Sequence, residues 1–139
     1  MGRGGSWCRG LGRLLSLTLS NALVAARAAS AKTLETTVVL DVGDLIGITD
    51  YFIITAGRNE RQVRSIVDEV SRRLRELAGL SVLQVEGLEG SHWVLLDYGD
   101  FVVHVFDTEA RSLYSLERLW ADAPRVVVDD AVSAEIAGN

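Results

Sequence analysis

The stretch LLDYGDFVVHVF, residues 95–106, contains two apolar, strand-like runs that meet at a bend. The bend, residues 97–100, carries two carboxylates, an aromatic hydroxyl and a glycine, and His104 follows four residues after the second carboxylate. A connection of two to four residues between strands predicts an antiparallel hairpin. From spacing alone, this corner could be a catalytic or metal-binding site, or a turn beside a surface that another molecule recognises.

Further strands are predicted wherever short β-branched or apolar runs are bounded by turn residues. The run at 50–56 is apolar enough to be buried on both sides. The predicted strands are 36–42, 50–56, 81–85, 92–97 and 101–106, and 126–128 is predicted to be a short edge strand or an ordered tail.

Two segments downstream of residue 57 have helical periodicity. Apolar residues recur at i, i+3, i+4 and i+7 from 63 to 77, which indicates an amphipathic helix. Asn59 and Gln62 have the spacing of a capping box, and Gly79 stands where such a helix ends. Helical spacing returns over 108–120, and Pro124 prevents the helix from continuing.

These elements predict an α/β fold. The order helix, β, β, helix, β, β, β, helix gives a mixed sheet of about five strands with flanking helices, parallel across the long helix and antiparallel at the hairpin. With 139 residues, of which 48% are hydrophobic, the chain has the size and core of one domain and is not disordered over most of its length. We expect a flexible leader at 1–13, a folded domain at 14–122 and a C-terminal tail at 123–139.

Charge is distributed unevenly along the chain. Residues 1–31 carry four arginines and no acid, whereas the remainder has a net charge of −9. A domain this acidic is a poor general binder of nucleic acid, because it is repelled by phosphates. We therefore expect any RNA contact to be peripheral, and the more natural partner to be a protein with a basic or apolar face.

The N-terminal residues allow two interpretations. Arginine, serine and glycine without acids are typical of an organellar transit peptide. The other interpretation is a Gly/Arg leader followed by an Ala-rich helix from about Leu14 to Ala31.

Metal, disulfide and membrane sites find little support. Cys8 is the only cysteine, so the chain has no C-x-x-C pair that its two histidines could complete, and neither a disulfide nor a cysteine zinc cluster is predicted. We predict no cofactor and no metal. The longest apolar runs are interrupted by polar or charged residues, so no membrane span is expected.

An enzyme is a weaker hypothesis than a binding module. Asp97 and Asp100 could hold Mg²⁺, but a phosphate-binding loop would also be needed, and Gly57 before a helix is the only sign of one. Ser91 and His92 lack a nucleophile elbow. His104 lies inside a strand and is better explained as a half-buried histidine with a hydrogen-bond partner. No catalytic residue is predicted.

Aromatic residues cluster around the hairpin and the last helix. Tyr and Trp anchor protein interfaces when exposed, and fill the core otherwise. We expect Trp120 to be a core residue, whereas Trp93 and Tyr98 fit either role.

Three motifs in register point to a family. W-x-L-x-D-Y-G-D at 93–100, V-H-x-F at 103–106 and L-E-x-L-W at 116–120 resemble the ribosomal silencing factor family, also called Iojap-like. Asp50-Tyr51-Phe52 and Glu86-Gly87 agree with it, and the resemblance covers residues 34–122.

The resemblance implies a function. Members of this family bind the large ribosomal subunit through its fourteenth protein and block joining of the small subunit, which represses translation under nutrient limitation. Organellar relatives act in ribosome assembly, which is the alternative role. The family fold resembles nucleotidyltransferases without being known for their activity, so a Mg-dependent enzyme of that kind is the weakest alternative.

The resemblance also implies a site and a location. The location is the bacterial cytoplasm, or an organelle if residues 1–31 are a transit peptide, and the free protein could be a homodimer. The implied partner-binding residues are Trp93, Leu95, Asp97, Tyr98, Asp100, His104 and Tyr114.

Overall fold

A six-stranded mixed sheet organises the part of the chain that the structure, a computed structural model, describes: residues 8–128, with side chains from residue 17 onward. The predicted tail beyond 128 and the first seven residues of the leader lie outside this range. In chain order the elements are α1 Cys8–Ser30, β1 Val38–Asp41, α2 Gly43–Ile46, β2 Tyr51–Gly57, α3 Glu60–Ala78, β3 Gln84–Glu86, β4 Trp93–Asp97, β5 Phe101–Asp107, α4 Thr108–Tyr114, α5 Leu116–Leu119 and β6 Arg125–Val126.

The strand order is β3-β4-β5-β2-β1-β6. Strands β2 and β5 pair in parallel, and every other neighbouring pair is antiparallel. The predicted α/β class and mixed sheet are confirmed. Strands β2 and β3, on either side of α3 in the sequence, run in the same direction, but β3 lies at the edge and pairs with β4. The sixth strand is the short β6, which pairs with β1 and supports the edge-strand interpretation of this region.

One face of the sheet is covered by α1 and α3. The apolar stripe of α3 is buried against the sheet from Val63 to Leu74, and five alanines of α1 pack beside it without exposed surface. The predicted last member of the stripe, Leu77, is instead 69% exposed. The predicted ends of α3 are confirmed: the Asn59 side chain accepts from the Gln62 N–H at 2.9 Å, and Gly79 ends the helix with φ 68°. We call this side the helix-covered face.

Helices cover less of the other face of the sheet. Its buried cluster centres on Leu40, Ile54 and Phe106, and Ala110 of α4 and Leu116 of α5 pack on it. Phe52, Trp93 and Trp120 are only partly buried against this cluster. This face therefore remains partly open over β4, β5 and β2, and the candidate site lies there.

The last predicted helix, 108–120, is wrong as a single element. It is broken at Ser115, which has the left-handed φ of 46° and separates α4 from α5. The Ser115 N–H donates to Arg111 O, and its hydroxyl donates to Ser112 O, so the break satisfies the end of α4. No glycine or proline marks this position, and periodicity alone therefore does not reveal it.

Other boundaries also differ from the prediction. The strand predicted at 81–85 is β3, which begins later, at Gln84, and ends at Glu86. Helix α1 begins at Cys8, six residues before the predicted start at Leu14, and so runs into the predicted leader. The connection at 43–49 contains the short helix α2. Within residues 8–128 no helix is both long and apolar enough to cross a bilayer.

Candidate docking surface

Strand β4 divides its side chains between the two faces. Trp93, Leu95 and Asp97 are half-buried, whereas Val94 and Leu96 are fully buried on the helix-covered face. This alternation follows from the period of two along a strand. The half-buried set therefore lies on the partly open side of the sheet.

Pairing with neighbouring strands extends this set into a continuous surface. Leu95 is opposite His104 and Asp97 is opposite Val102 across β4 and β5, and the parallel pairing of β5 with β2 puts Phe52 beside Val102. We define the open face as the exposed or half-buried apolar and aromatic side chains of this surface: Phe52, Trp93, Leu95, Val102, Tyr114 and Trp120.

Aromatic rings form a connected row across the open face. Tyr114 lies 4.8 Å from Trp93 between ring centroids, and Phe52 lies 5.8 Å from Trp120. His104 joins the two pairs, with centroid distances of 6.0 Å to Trp93 and 4.6 Å to Phe52. Tyr114 is 49% exposed, so the row ends in an aromatic ring that is accessible to a partner.

His104 lies beneath this surface rather than on it. It is 4% exposed, and burial lowers its pKa to about 4. Its Nδ1 is 3.1 Å from Trp93 Nε1, which donates the hydrogen bond. The predicted hydrogen-bond partner of His104 is confirmed, but the ring is buried rather than half-buried, and a direct contact with a docked protein is not open to it in this arrangement.

The two carboxylates of the bend have different roles. Asp97 Oδ1 accepts from the Gly99 N–H at 2.8 Å, and Gly99 has the left-handed φ of 87° that favours glycine. Asp97 thus fixes the turn while lying at the border of the open face. Asp100 is exposed at the bend, and Glu86 is exposed opposite Leu95. We call Glu86 and Asp97 the acidic rim.

Tyr98 is separated from the other predicted residues. It is 8% exposed, belongs to the buried cluster of the helix-covered face, and stacks on Phe101 at 5.2 Å. Burial raises the pKa of its hydroxyl, which is hydrogen-bonded to Ser71. The structure therefore brings Trp93, Leu95, Asp97 and Tyr114 together and places Tyr98 on the opposite side of the sheet.

Three residues of the open face were not among the predicted contacts. Val102 follows from the hairpin register, since it is opposite Asp97. Phe52 comes to the surface only through the parallel pairing of β2 with β5, and hairpin spacing carries no signal for that pairing. Trp120, predicted to be a core residue, is half-buried and contacts Phe52 edge-to-face.

The remaining candidates for chemistry have structural partners. The Ser91 hydroxyl donates to Leu88 O, and His92 Nδ1 is 2.6 Å from Asp107 Oδ2. This contact raises the pKa of His92, and Asp107 Oδ1 also caps α4 by accepting from the Ala110 N–H. Among residues whose side chains are described, no three of the types His, Cys, Asp and Glu come together as possible metal ligands.

A groove beside α3 is a concave region on the side of the sheet away from the open face. It has a volume of about 620 Å³, and its charged residues have both signs. Arg64 pairs with Glu60, and Arg72 pairs with Glu69 and Glu76, so much of its charge is satisfied within α3. Such pairing leaves a weak net field for a nucleic acid.

Comparison with known proteins identifies relatives along most of the chain. The family model described as ribosomal silencing factor during starvation matches residues 17–138. Ribosomal silencing factor RsfS of Bacillus subtilis is 41% identical over 106 residues, covering 76% of this chain and 89% of that protein. The protein of the same name from Halalkalibacterium halodurans is 39% identical over 110 residues, covering 79% and 93%.

More distant relatives and solved structures agree. The mouse protein named mitochondrial assembly of ribosomal large subunit protein 1 is 31% identical over 84 residues, covering 59% of this chain and 37% of that one. A crystal structure from Chromobacterium violaceum has a TM-score of 0.70 at 32% identity, covering 74% of this chain and 85% of that chain. One from Bacillus halodurans has a TM-score of 0.63 at 35% identity, covering 84% and 98%.

Proposed function

This chain belongs to the ribosomal silencing factor family, and on that premise we propose that its open face docks on the large ribosomal subunit. The protein is a ribosome-associated regulator of translation. We propose specifically that it binds the fourteenth protein of the large subunit and blocks joining of the small subunit, which represses translation under nutrient limitation.

The observation that carries the proposal is the composition of the open face. It joins aromatic rings of Trp93, Tyr114, Phe52 and Trp120 with aliphatic side chains on a sheet face that its own helices leave partly uncovered. Trp and Tyr in well-packed surroundings are the residues that contribute most to protein interfaces. A contiguous apolar surface of this kind supports the proposal of an interaction site.

Charge supports a basic partner. The acidic rim borders the open face, Asp100 is exposed at the nearby bend, and the chain after residue 31 has a net charge of −9. Electrostatic complementarity with a basic ribosomal protein would speed encounter and set orientation, while burial of Trp93 and its neighbours supplies more of the affinity. Contact with ribosomal RNA is then peripheral.

Blocking of subunit joining needs no catalysis. A folded domain bound at the face where the subunits meet excludes the small subunit by its volume alone. We therefore propose a non-enzymatic factor that works without a cofactor. In support, the Asp97 carboxylate is engaged in the turn, and Asp107 is engaged by His92 and the start of α4.

A second candidate is assembly of the large subunit. It is favoured by one specific observation, the 31% identity with the mouse protein whose name describes mitochondrial assembly of that subunit. Both roles use binding to the large subunit and differ in its consequence.

We propose the bacterial cytoplasm as the location of the protein. Sequencing the mature N-terminus tests the organellar alternative, because a transit peptide would be removed.

A subunit-joining experiment separates the two roles. Purified large subunits are incubated with the protein before small subunits are added, and the products are resolved on a sucrose gradient. Silencing predicts that joined ribosomes decrease with increasing protein, and that the decrease is weaker when the subunits are joined first. Unchanged joining, with precursors of the large subunit accumulating in cells that lack the protein, would support assembly instead.

A further inference from the structure

His104 is a polar side chain in apolar surroundings beneath the open face. Its strand neighbours in register are Leu95 on β4 and Ile54 on β2. Phe52 meets it edge-to-face at 4.6 Å, and Phe106 stacks at 6.3 Å. An aliphatic or aromatic residue would fit these contacts.

A histidine at this position costs stability that an apolar residue would not. The buried Nε2 has no hydrogen-bond partner within the described part of the chain. A buried polar group without a partner loses its hydration and gains nothing in return. Packing of the core therefore does not account for a histidine here. The hydrogen bond at Nδ1 is the interaction that an apolar residue could not make.

That bond determines the state of the ring. The indole N–H of Trp93 can only donate, so Nδ1 of His104 must be an unprotonated acceptor, and the proton of the neutral ring is on Nε2. Protonation would put two N–H groups against each other. The lowering of the His104 pKa to about 4 by burial keeps the ring in the accepting form near neutral pH.

Trp93 gains orientation from this bond. The indole ring packs against Phe106 at 5.0 Å and Tyr114 at 4.8 Å between ring centroids. These contacts do not define the direction of its N–H. The 3.1 Å hydrogen bond to His104 does, because a hydrogen bond is directional. A side chain held before binding loses less conformational entropy on docking.

We propose that His104 is a positioning residue for the docking surface: its Nδ1 holds the Trp93 indole in the orientation that the partner recognises, without touching the partner. This inference rests on the proposed function, because it assumes that Trp93 is part of the contact. It assigns the buried histidine a role in recognition and gives the half-buried tryptophan a fixed geometry.

Two substitutions of His104 separate the acceptor from the volume of the ring. In His104→Asn the amide oxygen can occupy the place of Nδ1 and accept from the indole, whereas His104→Leu fills space without an acceptor. The first readout is the indole N–H resonance of Trp93 in ¹⁵N-labelled protein, assigned by its loss in Trp93→Phe. Positioning predicts an upfield shift and faster hydrogen exchange in His104→Leu, with the signal largely retained in His104→Asn.

The second readout is affinity for purified large subunits. We expect His104→Leu to weaken binding by about three- to tenfold, the equivalent of one ordinary hydrogen bond, and His104→Asn to restore most of it. In a Trp93→Phe background, which has no indole donor, His104→Leu should produce no further loss. A merely structural role would give the same loss in both backgrounds.

The outcomes distinguish this inference from the proposed function. Equal effects of the Leu and Asn variants on binding, or an unchanged indole resonance in His104→Leu, would overturn positioning. If Trp93→Phe and Trp93→Ala both bind like the wild type, the docking assignment fails, and the inference that depends on it fails too, even if the resonance shifts. A shifted resonance with coupled losses of binding supports both.

Discussion

Trp93 and Tyr98 are five residues apart and lie on opposite faces of the sheet. Trp93 is on the open face, whereas Tyr98 is buried with Phe101 under α3. An odd separation along a strand gives opposite faces. If the alternation of β4 is continued through the first residue of the turn, it therefore predicts that Tyr98 faces the side opposite to Trp93.

The two carboxylates of the hairpin bend, Asp97 and Asp100, have separate roles. Asp97 accepts from the Gly99 N–H and so stabilises the bend, while Asp100 is exposed. One carboxylate thus contributes to the turn, and the other contributes charge. The corner that could have been a metal or catalytic site functions as the boundary of a recognition surface in our proposal.

Acid should destabilise the fold through His104. Its pKa is 6.5 when unfolded and about 4 when buried, so between these values the unfolded state binds more protons and stability falls as the pH is lowered. The full loss is about 3 kcal/mol. Urea unfolding of the wild type and of His104→Asn, which does not titrate, measures it between about pH 7 and about pH 4.5.

The comparison of these two proteins cancels the other titrating groups. His92 has a raised pKa, so its contribution has the opposite sign: it is present at low pH and is lost as the pH rises through its folded pKa. Three carboxyl groups have lowered pKa values, so the stability that they contribute is lost as the pH falls through their folded pKa values; they are Glu69, Asp107 and Glu117. All four groups remain in both proteins. If the wild type and His104→Asn lose the same amount of stability over this pH interval, the result would contradict a neutral buried His104.

The break between α4 and α5 places Tyr114 against Trp93 and so contributes to the open face. Ser115 adopts a left-handed conformation that costs about 1 kcal/mol for a residue with a Cβ. Ser115→Gly and Ser115→Ala both lose the hydroxyl bond to Ser112 O, so they differ mainly in the backbone.

We expect Ser115→Gly to be more stable than Ser115→Ala by about 1 kcal/mol, because glycine adopts the left-handed region without strain. Chemical denaturation of the two variants under identical conditions measures the difference. If the alanine variant is as stable as the glycine variant, or more stable, then residues 108–120 form a continuous helix as periodicity predicts, and the position of Tyr114 must be revised.

Elements were predictable where a local signal exists. The stripe, cap and C-terminal glycine of α3 lie within one stretch of sequence, and the hairpin is defined by its turn. The break at Ser115 has no glycine or proline to mark it, and the early start of α1 lies in a segment of low-complexity composition. Hydrophobic periodicity does not reveal a break that depends on a single unusual backbone angle.

At the scale of the whole molecule, the open face depends on contacts that are distant in sequence. Hairpin register brings Val102 to Asp97, but Phe52 reaches Val102 only through the pairing of β2 with β5, and Trp120 reaches Phe52 only through the position of α5. The hairpin half of the site was therefore predictable from the sequence. The other half requires the fold.

The whole molecule also explains which face is available for docking. Helices α1 and α3 cover one side of the sheet with a long apolar contact, whereas the short helices α4 and α5 cover only part of the other. A domain with a net acidic charge thus presents one partly open, aromatic side. This asymmetry is what the proposed docking on a basic ribosomal protein requires.

Binding of the open face to the large subunit is tested most directly by Trp93→Ala. The variant is sedimented with large subunits and compared with Leu77→Ala, which removes an apolar side chain of α3 that is 69% exposed. Circular dichroism confirms that both are folded, and Tyr114→Ala provides a second, less buried change of the open face. We predict that Trp93→Ala loses about tenfold or more in affinity, as a buried interface anchor should, while Leu77→Ala binds like the wild type. Folded Trp93→Ala and Tyr114→Ala proteins that still sediment fully with large subunits would contradict the account.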